Sequence, residues 1–158
     1  MKSNLISKSE TAEVIKEISS QWKVELPKIK NLKFHYYEDD VVIITGSGLK
    51  AIKIGELYLP FLSETEILKK FPYVMVDMGA VKFMCNGANV MRPGITNNTE
   101  FEKDQLVCVI EESQHKFLAI GRSCVSSTEM KTMSKGEVVK NMHFISDKYW
   151  EAGKSIRD

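Results

Sequence analysis

Apolar residues near the start of the chain recur at the spacing of an amphipathic helix, with charged residues between them. The apolar positions are Val14, Ile15, Ile18 and Trp22. Ser7 and Glu10 lie just before this run at the spacing of a capping box, in which side chains satisfy the free backbone N–H groups of the first turn. We therefore predict that an amphipathic helix opens the fold and ends before Pro27.

From residue 33 to residue 62 the helical spacing gives way to short apolar runs separated by turn-forming residues. The runs cover residues 34–37, 41–44, 51–54 and 57–59. Because the separators are rich in Gly, Ser and acidic residues, they favour tight connections, and we predict an antiparallel meander. Ser63 and Glu66 then have the spacing of a second capping box, which predicts a helix that Pro72 ends.

The pattern starts again after Pro72, and we place a domain boundary there, between residues 1–72 and residues 73–158. The elements predicted after the boundary are a strand at 73–76, a helix at 79–86 capped by Asp77 and closed by Gly87, a hairpin formed by 105–112 and 117–125, a helix capped by Ser126, and a strand at 138–145. The predicted fold class is therefore α+β and strand-rich, with a small N-terminal helix-and-antiparallel-sheet domain first.

Charge and polarity limit the possible functions. The 158 residues carry 22 Lys and Arg against 21 Asp and Glu, so the formal net charge is only +1. A uniformly basic surface that attracts nucleic acid from all sides is excluded, and any nucleic-acid site must be local. The first ten residues are too polar for a signal peptide, and no apolar run reaches the length of a membrane span, so we expect a soluble, cytoplasmic protein that does not bind a membrane.

The side chains that could carry catalysis are scattered. The three cysteines show no paired spacing typical of a metal or redox motif, and the three histidines stand apart from one another in the sequence. Cys85 would need a neighbouring base to act as a nucleophile, and its apolar surroundings favour a packed thiol instead. We therefore predict no catalytic residues, no metal site and no cofactor.

Residues 76–95 are the most informative segment. The apolar positions of its predicted helix are Ala80, Val81, Phe83, Met84 and Cys85. Lys82 and Asn86 lie four residues apart and share the remaining face, so we predict a helix that is buried except for this polar stripe. Gly79 and Gly87 flank the helix and would let a phosphate or another backbone approach closely. The alternative is that the glycines only form turns and that Lys82 is simply solvated.

The same segment resembles the signature of PUA domains, the RNA-binding module shared by pseudouridine synthases and archaeosine transglycosylases. The matching runs are Gly-Ala-Val-Lys-Phe, Asn-Gly-Ala and Met-Arg-Pro-Gly-Ile. The resemblance continues through residues 117–122, 126–130 and 141–147. It implies a pseudo-barrel that presents its first helix, the loop before that helix and its last strand to RNA, often to a tRNA acceptor arm or its CCA end.

Carried over residue by residue, the resemblance implies RNA contacts from Gly79, Ala80, Lys82, Asn86, Arg92 and the strand around His143. Arg122 and Lys140 are the further basic positions to consider if RNA lies elsewhere on the domain.

Residues 57–72 are similar to the domain that precedes PUA in the malignant T-cell-amplified sequence family and its archaeal homologues. The resemblance therefore covers nearly the whole chain and implies a pre-PUA α+β domain at 1–72 and a PUA RNA-binding domain at 73–158. Eukaryotic members pair with the density-regulated protein, which carries a SUI1-type domain, and act in re-initiation and ribosome recycling. This chain contains no SUI1-type segment, so that activity would require a separate partner.

Two function classes follow. The first is a non-catalytic RNA-binding protein of the translation machinery, which contacts a tRNA acceptor end or rRNA on a ribosomal subunit during initiation, re-initiation or recycling. The alternative is an RNA-targeting accessory subunit for a tRNA- or rRNA-modifying enzyme of the pseudouridine synthase or archaeosine transglycosylase type. Co-sedimentation with ribosomes separates the two classes. An enzyme is a distant third.

Overall fold

The computed structural model describes residues 1–156, which form a five-stranded sheet and a six-stranded sheet. The N-terminal half contains β1 Lys2–Leu5, α1 Lys8–Trp22, β2 Lys33–Glu38, β3 Val41–Gly46, β4 Leu49–Ile54, β5 Leu57–Pro60 and α2 Thr65–Leu68. The C-terminal half contains β6 Tyr73–Val76, α3 Val81–Met84, β7 Val90–Met91, β8 Ile95–Asn98, β9 Leu106–Glu111, β10 Phe117–Ser123, α4 Ser127–Met130, β11 Glu137–Phe144 and α5 Lys148–Gly153. No helix within residues 1–156 is both long and apolar enough to cross a membrane.

The N-terminal half confirms the predicted amphipathic helix and meander. The hydroxyl of Ser7 accepts a hydrogen bond from the backbone N–H of Glu10 at 3.1 Å, so the first cap is formed as predicted. β1 to β5 pair in chain order, and each neighbouring pair is antiparallel. On α1 the buried Trp22 donates its indole N–H to the carbonyl of Tyr58 on β5 at 2.7 Å. This bond satisfies a polar atom where the helix packs on the sheet.

Two features of the N-terminal half differ from the sequence prediction. A strand, β1, precedes the first helix and pairs with β2 at the edge of the sheet. The second capping box does not form, because α2 begins at Thr65 and its cap position, Glu64, makes no side-chain cap bond. The backbone N–H of Glu64 bonds to the carbonyl of Phe61 at 3.0 Å, so a turn has already formed there. The hydroxyl of Ser63 lies against the Glu64 carboxylate instead.

The C-terminal half is a nearly closed pseudo-barrel with the strand order β7-β11-β10-β9-β6-β8. β6 and β9 pair in parallel, while the other pairs are antiparallel. The predicted hairpin is formed by β9 and β10, and the predicted Ser126 cap begins α4, with the Glu129 N–H donating to its hydroxyl at 3.2 Å. Asp77 caps a short 3₁₀ turn, Met78–Ala80, which leads directly into α3. The α+β, strand-rich fold class is therefore confirmed.

The two halves share one hydrophobic cluster. Leu106, Cys108 and Ile120 on the outer face of the barrel pack into the same cluster as the apolar residues of the N-terminal sheet. The C-terminal helix α5 returns to that half, where Trp150 stacks on Phe61 with 6.0 Å between ring centroids. The placement of the boundary at residue 72 remains a prediction, but the core itself is continuous across it.

Candidate nucleic-acid interface

Helix α3 is one turn long and lies at the surface, so its side chains divide differently from the prediction. Met84 packs into the barrel and is only 4% exposed, whereas Phe83 is 60% exposed. The prediction of a helix that is buried except for a polar stripe is therefore wrong at Phe83. A single turn packed on one side leaves the neighbouring position free, which places an aromatic ring in solvent without a structural need for it there.

A groove of about 410 Å³ lies between α3 and the segment that follows it. Its lining residues are Val76, Asp77, Gly79, Ala80, Phe83, Met84, Ala88, Asn89, Val90, Met91 and Gly94. They are mostly apolar, with one carboxylate, Asp77, one side-chain amide, Asn89, and no Lys or Arg. Because a phosphate would meet a carboxylate and no cation in this groove, the lining suits an uncharged planar ring with a few polar edges.

Three large apolar side chains are exposed around this groove. Met78, Phe83 and Met91 expose 48%, 60% and 49% of their surfaces. An exposed aromatic ring is the usual platform on which an unpaired base stacks. The unbranched methionines can adapt to rings of different shape. Together they make the groove the strongest candidate site for a nucleobase.

Hydrogen bonds hold the walls of the groove in place. One carboxylate oxygen of Asp77 accepts a bond from the Ala80 N–H at 3.0 Å, which fixes the turn before α3. The side chain of Asn89 accepts from the Asn141 N–H at 2.9 Å and donates to the Glu137 carboxylate at 2.9 Å. These bonds tie the segment after α3 to β11, so the groove is pre-formed.

Asn141 on β11 adds further hydrogen bonds to α3 and the segment after it. Its side-chain amide donates to the carbonyls of Met84 and Ala88 at 3.2 and 3.1 Å. Sequence reasoning singled out neither residue, although Asn141 begins the matching run 141–147 and Asn89 lies within the segment 76–95. The sequence around an Asn does not show which backbone groups its side chain will contact in the folded protein.

Four of the residues predicted to contact RNA lie on or beside the groove. Gly79 and Ala80 line it. Lys82 and Asn86 are both exposed on the neighbouring surface of the α3 turn, and the Lys82 ammonium makes no ion pair within residues 1–156. The structure therefore brings these four positions together at one edge of the barrel.

The guanidinium of Arg92 makes hydrogen bonds within the protein. Its Nε atom donates to the carbonyl of Met130 at 2.9 Å, and one Nη atom lies 3.5 Å from the carbonyl of Ile95. The first bond ties the 3₁₀ turn Arg92–Gly94 to α4, so this guanidinium stabilises the barrel beside the groove.

The prediction that His143 contacts RNA is corrected by the structure. Its ring is fully buried between the two halves. The Nδ1 atom lies 2.8 Å from a carboxylate oxygen of Asp147, and Nε2 accepts the backbone N–H of Leu62 at 3.1 Å. Both ring nitrogens are occupied, and the ring is packed against Phe61 at 5.0 Å between centroids. His143 is therefore a residue of the joint between the halves.

Arg122 and Lys140, the two further candidates, are exposed on adjacent strands. Their location is separate from the groove lining, and Arg122 borders a second groove between the two halves.

No group of three or more His, Cys, Asp or Glu within residues 1–156 could hold a metal ion. Burial raises the pKa of the Cys85 and Cys108 thiols, which keeps them in the protonated, less nucleophilic form at neutral pH.

Comparisons with known proteins relate this chain to one family. The model of the PUA domain family matches residues 72–145. Translation machinery-associated protein 20 of Schizosaccharomyces pombe is 33% identical over 135 residues, which cover 80% of this chain and 74% of that protein. The malignant T-cell-amplified sequence 1 homolog of Drosophila melanogaster is 28% identical over 148 residues, which cover 89% of this chain and 81% of that protein.

A solved structure also covers both halves. The crystal structure of a hypothetical protein from Pyrococcus horikoshii OT3 superimposes with a TM-score of 0.80 at 30% identity, and the match covers 96% of this chain and 99% of that one.

Proposed function

This chain belongs to the family of PUA-domain proteins that includes translation machinery-associated protein 20 and the malignant T-cell-amplified sequence proteins, and we propose that it is a non-catalytic RNA-binding protein of the translation machinery. The groove beside α3 is the RNA site in this proposal. An unpaired base enters the groove and stacks on Phe83, while the sugar-phosphate backbone stays outside near Lys82.

The observation that carries the proposal is the exposure of Phe83 at the rim of a groove that contains no cation. A protein core gains nothing from an aromatic ring in solvent, whereas a base gains stacking area from it. The distribution of charge gives the orientation: the base lies inside, against apolar side chains, and the phosphates lie outside. With a net charge of +1, binding then depends on this local site more than on long-range attraction.

The finer proposal is that the base belongs to the single-stranded end of a tRNA acceptor arm or to an unpaired segment of rRNA on a ribosomal subunit. The names of the relatives associate them with the translation machinery, which supports a role in initiation, re-initiation or ribosome recycling. We place the protein in the cytoplasm. A SUI1-domain factor is the proposed protein partner, because residues 57–72 resemble the pre-PUA domain of a family whose eukaryotic members pair with such a factor.

The first experiment measures binding of fluorescently labelled tRNA with an intact CCA end to the full chain, to Phe83→Ala and to the conservative variant Phe83→Leu. Loss of one stacked base typically weakens binding about fivefold to hundredfold, and Phe83→Leu should recover part of that loss. Equal affinities for all three proteins would exclude the groove as the base site. tRNA that lacks the CCA end shows whether the single-stranded end is the part recognised.

A second experiment separates the translation factor from an accessory subunit of a modifying enzyme. The tagged protein should co-sediment with a ribosomal subunit in a sucrose gradient. Recovery with a tRNA- or rRNA-modifying enzyme, and no association with ribosomal subunits, would replace the translation role with the accessory one.

A further inference from the structure

The strand β1 forms one edge of the five-stranded sheet and is exposed along its whole length. The backbone N–H of Ile6, just after β1, donates to the carbonyl of Leu32 at 2.9 Å. Because the bonds alternate in direction along an antiparallel strand, the N–H and C=O groups of Ser3 and Leu5 point away from β2. β1 therefore presents a row of backbone donors and acceptors on its outer side.

The other edge of the same sheet, β5, is closed. The backbone N–H of Tyr58 donates to the side-chain oxygen of Gln21 at 3.0 Å, and its carbonyl accepts the indole N–H of Trp22 at 2.7 Å. Two residues further along β5, Pro60 has no N–H to offer. β1 contains no proline, and its register with β2 is continuous, so it lacks two devices that commonly block an edge.

Apolar side chains are exposed at the open edge. Within residues 1–156, the six large apolar side chains that are exposed divide into two groups of three, and one group surrounds the groove beside α3. The other group consists of Met1, Leu5 and Tyr36, which expose 56%, 64% and 44% of their surfaces. Met1 precedes β1, Leu5 lies on it, and Tyr36 is directly opposite Lys2. An added strand would find apolar surface here on which to pack.

Lysines determine which kind of strand can be added. Lys2 lies on β1, Lys33 is directly opposite Leu5, and neither lysine forms an ion pair with any residue from 1 to 156. Directly opposite residues share a face of the sheet, so each face of this edge offers one exposed apolar side chain and one lysine. A second copy of β1 would bring its own lysines against these, and edge lysines commonly prevent such pairing.

The acidic side chains near β1 do not cancel this charge. The carboxylate of Glu10 accepts a hydrogen bond from the hydroxyl that caps α1 at 3.2 Å. Glu38 on β2 is paired with Lys148 at 2.6 Å. Asp39 and Asp40 lie in the turn after β2, beyond the start of β1. The lysines at the edge are therefore left for the carboxylates of a partner.

We propose that β1 binds an extended acidic segment of a protein partner, which joins the five-stranded sheet as an additional strand. The backbone groups of Ser3 and Leu5 hold the main chain of this segment. Its apolar side chains pack against Leu5 and Tyr36, and its carboxylates meet Lys2 and Lys33, which supplies the charge selectivity. The inference does not rest on the proposed RNA site, which lies on the barrel.

The first test measures binding of a fluorescent acetylated peptide to the full chain by anisotropy. In the peptide Val-Val and Glu-Glu pairs alternate, so each face of the extended chain carries both residue types. The same peptide with methylated backbone nitrogens cannot donate main-chain bonds and should bind at least about tenfold more weakly. A peptide with Lys in place of Glu should lose binding by a similar factor, because it repels the edge lysines.

Variants of the protein locate the contact. Leu5→Ser and Lys2→Glu should each weaken binding of the acidic peptide about threefold to tenfold. Lys116→Glu is the matched control, because Lys116 is an exposed lysine of the barrel, and it should bind as the unaltered protein does. Since Leu5 and Lys2 are exposed, both variants should melt within about 2 °C of the unaltered protein.

Amide hydrogen exchange tests the mode of binding. The peptide should slow exchange of the N–H groups of Ser3 and Leu5, which point outwards, and leave that of Asn4, which faces β2, unchanged. Protection confined to other parts of the chain would overturn strand addition, as would equal binding of the methylated peptide or no binding at about 1 mM peptide.

Two further outcomes would assign the edge to a different occupant and overturn the proposal. If the protein is a dimer that Leu5→Ser converts to a monomer, a second copy pairs with β1. If single-stranded RNA displaces the peptide and Lys2→Glu weakens RNA binding, the lysines form a nucleic-acid surface. Phe83→Ala should leave peptide binding unchanged, so the edge and the groove beside α3 succeed or fail separately.

Discussion

The backbone N–H of Leu62 donates a hydrogen bond to Nε2 of His143 at 3.1 Å, and this bond joins the two halves of the molecule. The donor belongs to the segment after β5, and the acceptor lies on the last strand of the barrel. Because the opposite ring nitrogen faces the carboxylate of Asp147 at 2.8 Å, it carries the proton, and Nε2 is left as the acceptor. A buried N–H on one half therefore depends on the tautomer of a histidine on the other.

His143→Asn should destabilise the protein by about 1 to 3 kcal/mol, because an Asn side chain can still donate towards Asp147 but cannot reach the Leu62 N–H, which is left buried and unpaired. Chemical denaturation with urea measures this loss. His115→Asn is the control: His115 is exposed in the β9–β10 turn with φ of 58°, a conformation that Asn tolerates. Equal stability of the two variants would show that the Leu62 bond contributes nothing.

Lys82→Ala should weaken mainly RNA binding, whereas Arg92→Ala should lower mainly the stability of the fold. Lys82 is exposed and makes no ion pair within residues 1–156, so its removal should leave stability within about 0.5 kcal/mol and weaken RNA binding about tenfold. Arg92→Ala removes the bond to the Met130 carbonyl and should cost about 1 to 3 kcal/mol of stability. Melting curves and RNA titrations of both variants check this. If Arg92→Ala melts normally and binds less RNA, the guanidinium contacts RNA directly.

Stability should fall in acid through Asp147. Burial by itself raises the pKa of this carboxyl, but the hydrogen bond and charge of His143 and the N–H groups of Trp150 and Phe144 outweigh burial, so its pKa lies below the ordinary value. The stabilisation is therefore present above the ordinary pKa of an unfolded Asp, about 3.9, and is lost as the pH falls through the lower folded value.

Asp147→Asn removes that titration. The variant should be less stable than the unaltered protein at neutral pH, and its free energy of unfolding should change less between about pH 5 and pH 2. Urea unfolding across this range is the measurement. Parallel pH profiles for the two proteins would show that other carboxyls control the acid transition.

Gly121→Ala should be among the most damaging single changes. The residue lies where the register of β10 and β11 shifts, and a Cβ atom there would collide with the carbonyl oxygen of Lys140. Backbone cannot move aside as a flexible side chain can, so we expect a loss of about 3 kcal/mol or more. Gly55→Ala, which meets no atom within 4 Å but sits at φ of 58°, should cost only about 1 kcal/mol. Similar melting temperatures for the two variants would contradict this prediction.

Local signals in the sequence predicted local structure well. The caps at Ser7, Asp77 and Ser126 all form, because a side chain and a backbone N–H two or three residues away need no help from the rest of the fold. The β2 to β5 meander was predicted from apolar runs separated by turn residues. β1 was not predicted, since Lys2–Leu5 is exposed along its length and shows no alternation.

The errors at the candidate site arise from packing between distant segments. Phe83 and Met84 are neighbours of similar hydrophobicity, and the sequence holds no mark of which one the barrel buries. His143 resembles any polar residue on a strand until Leu62 and Asp147 arrive from elsewhere in the chain to occupy its ring nitrogens. The resemblance to PUA domains located the site, but it could not tell a residue that faces solvent from one that supports the surface.

The hydrophobic cluster shared by the two halves opposes bending between them. Bending at the joint would bring Leu106, Cys108 and Ile120 into water, at a cost of roughly 25 cal/mol for each Å² of apolar surface uncovered. A surface of the N-terminal sheet therefore keeps a fixed distance and angle to the groove beside α3. A partner that docks on that sheet is therefore held at a set position relative to the groove.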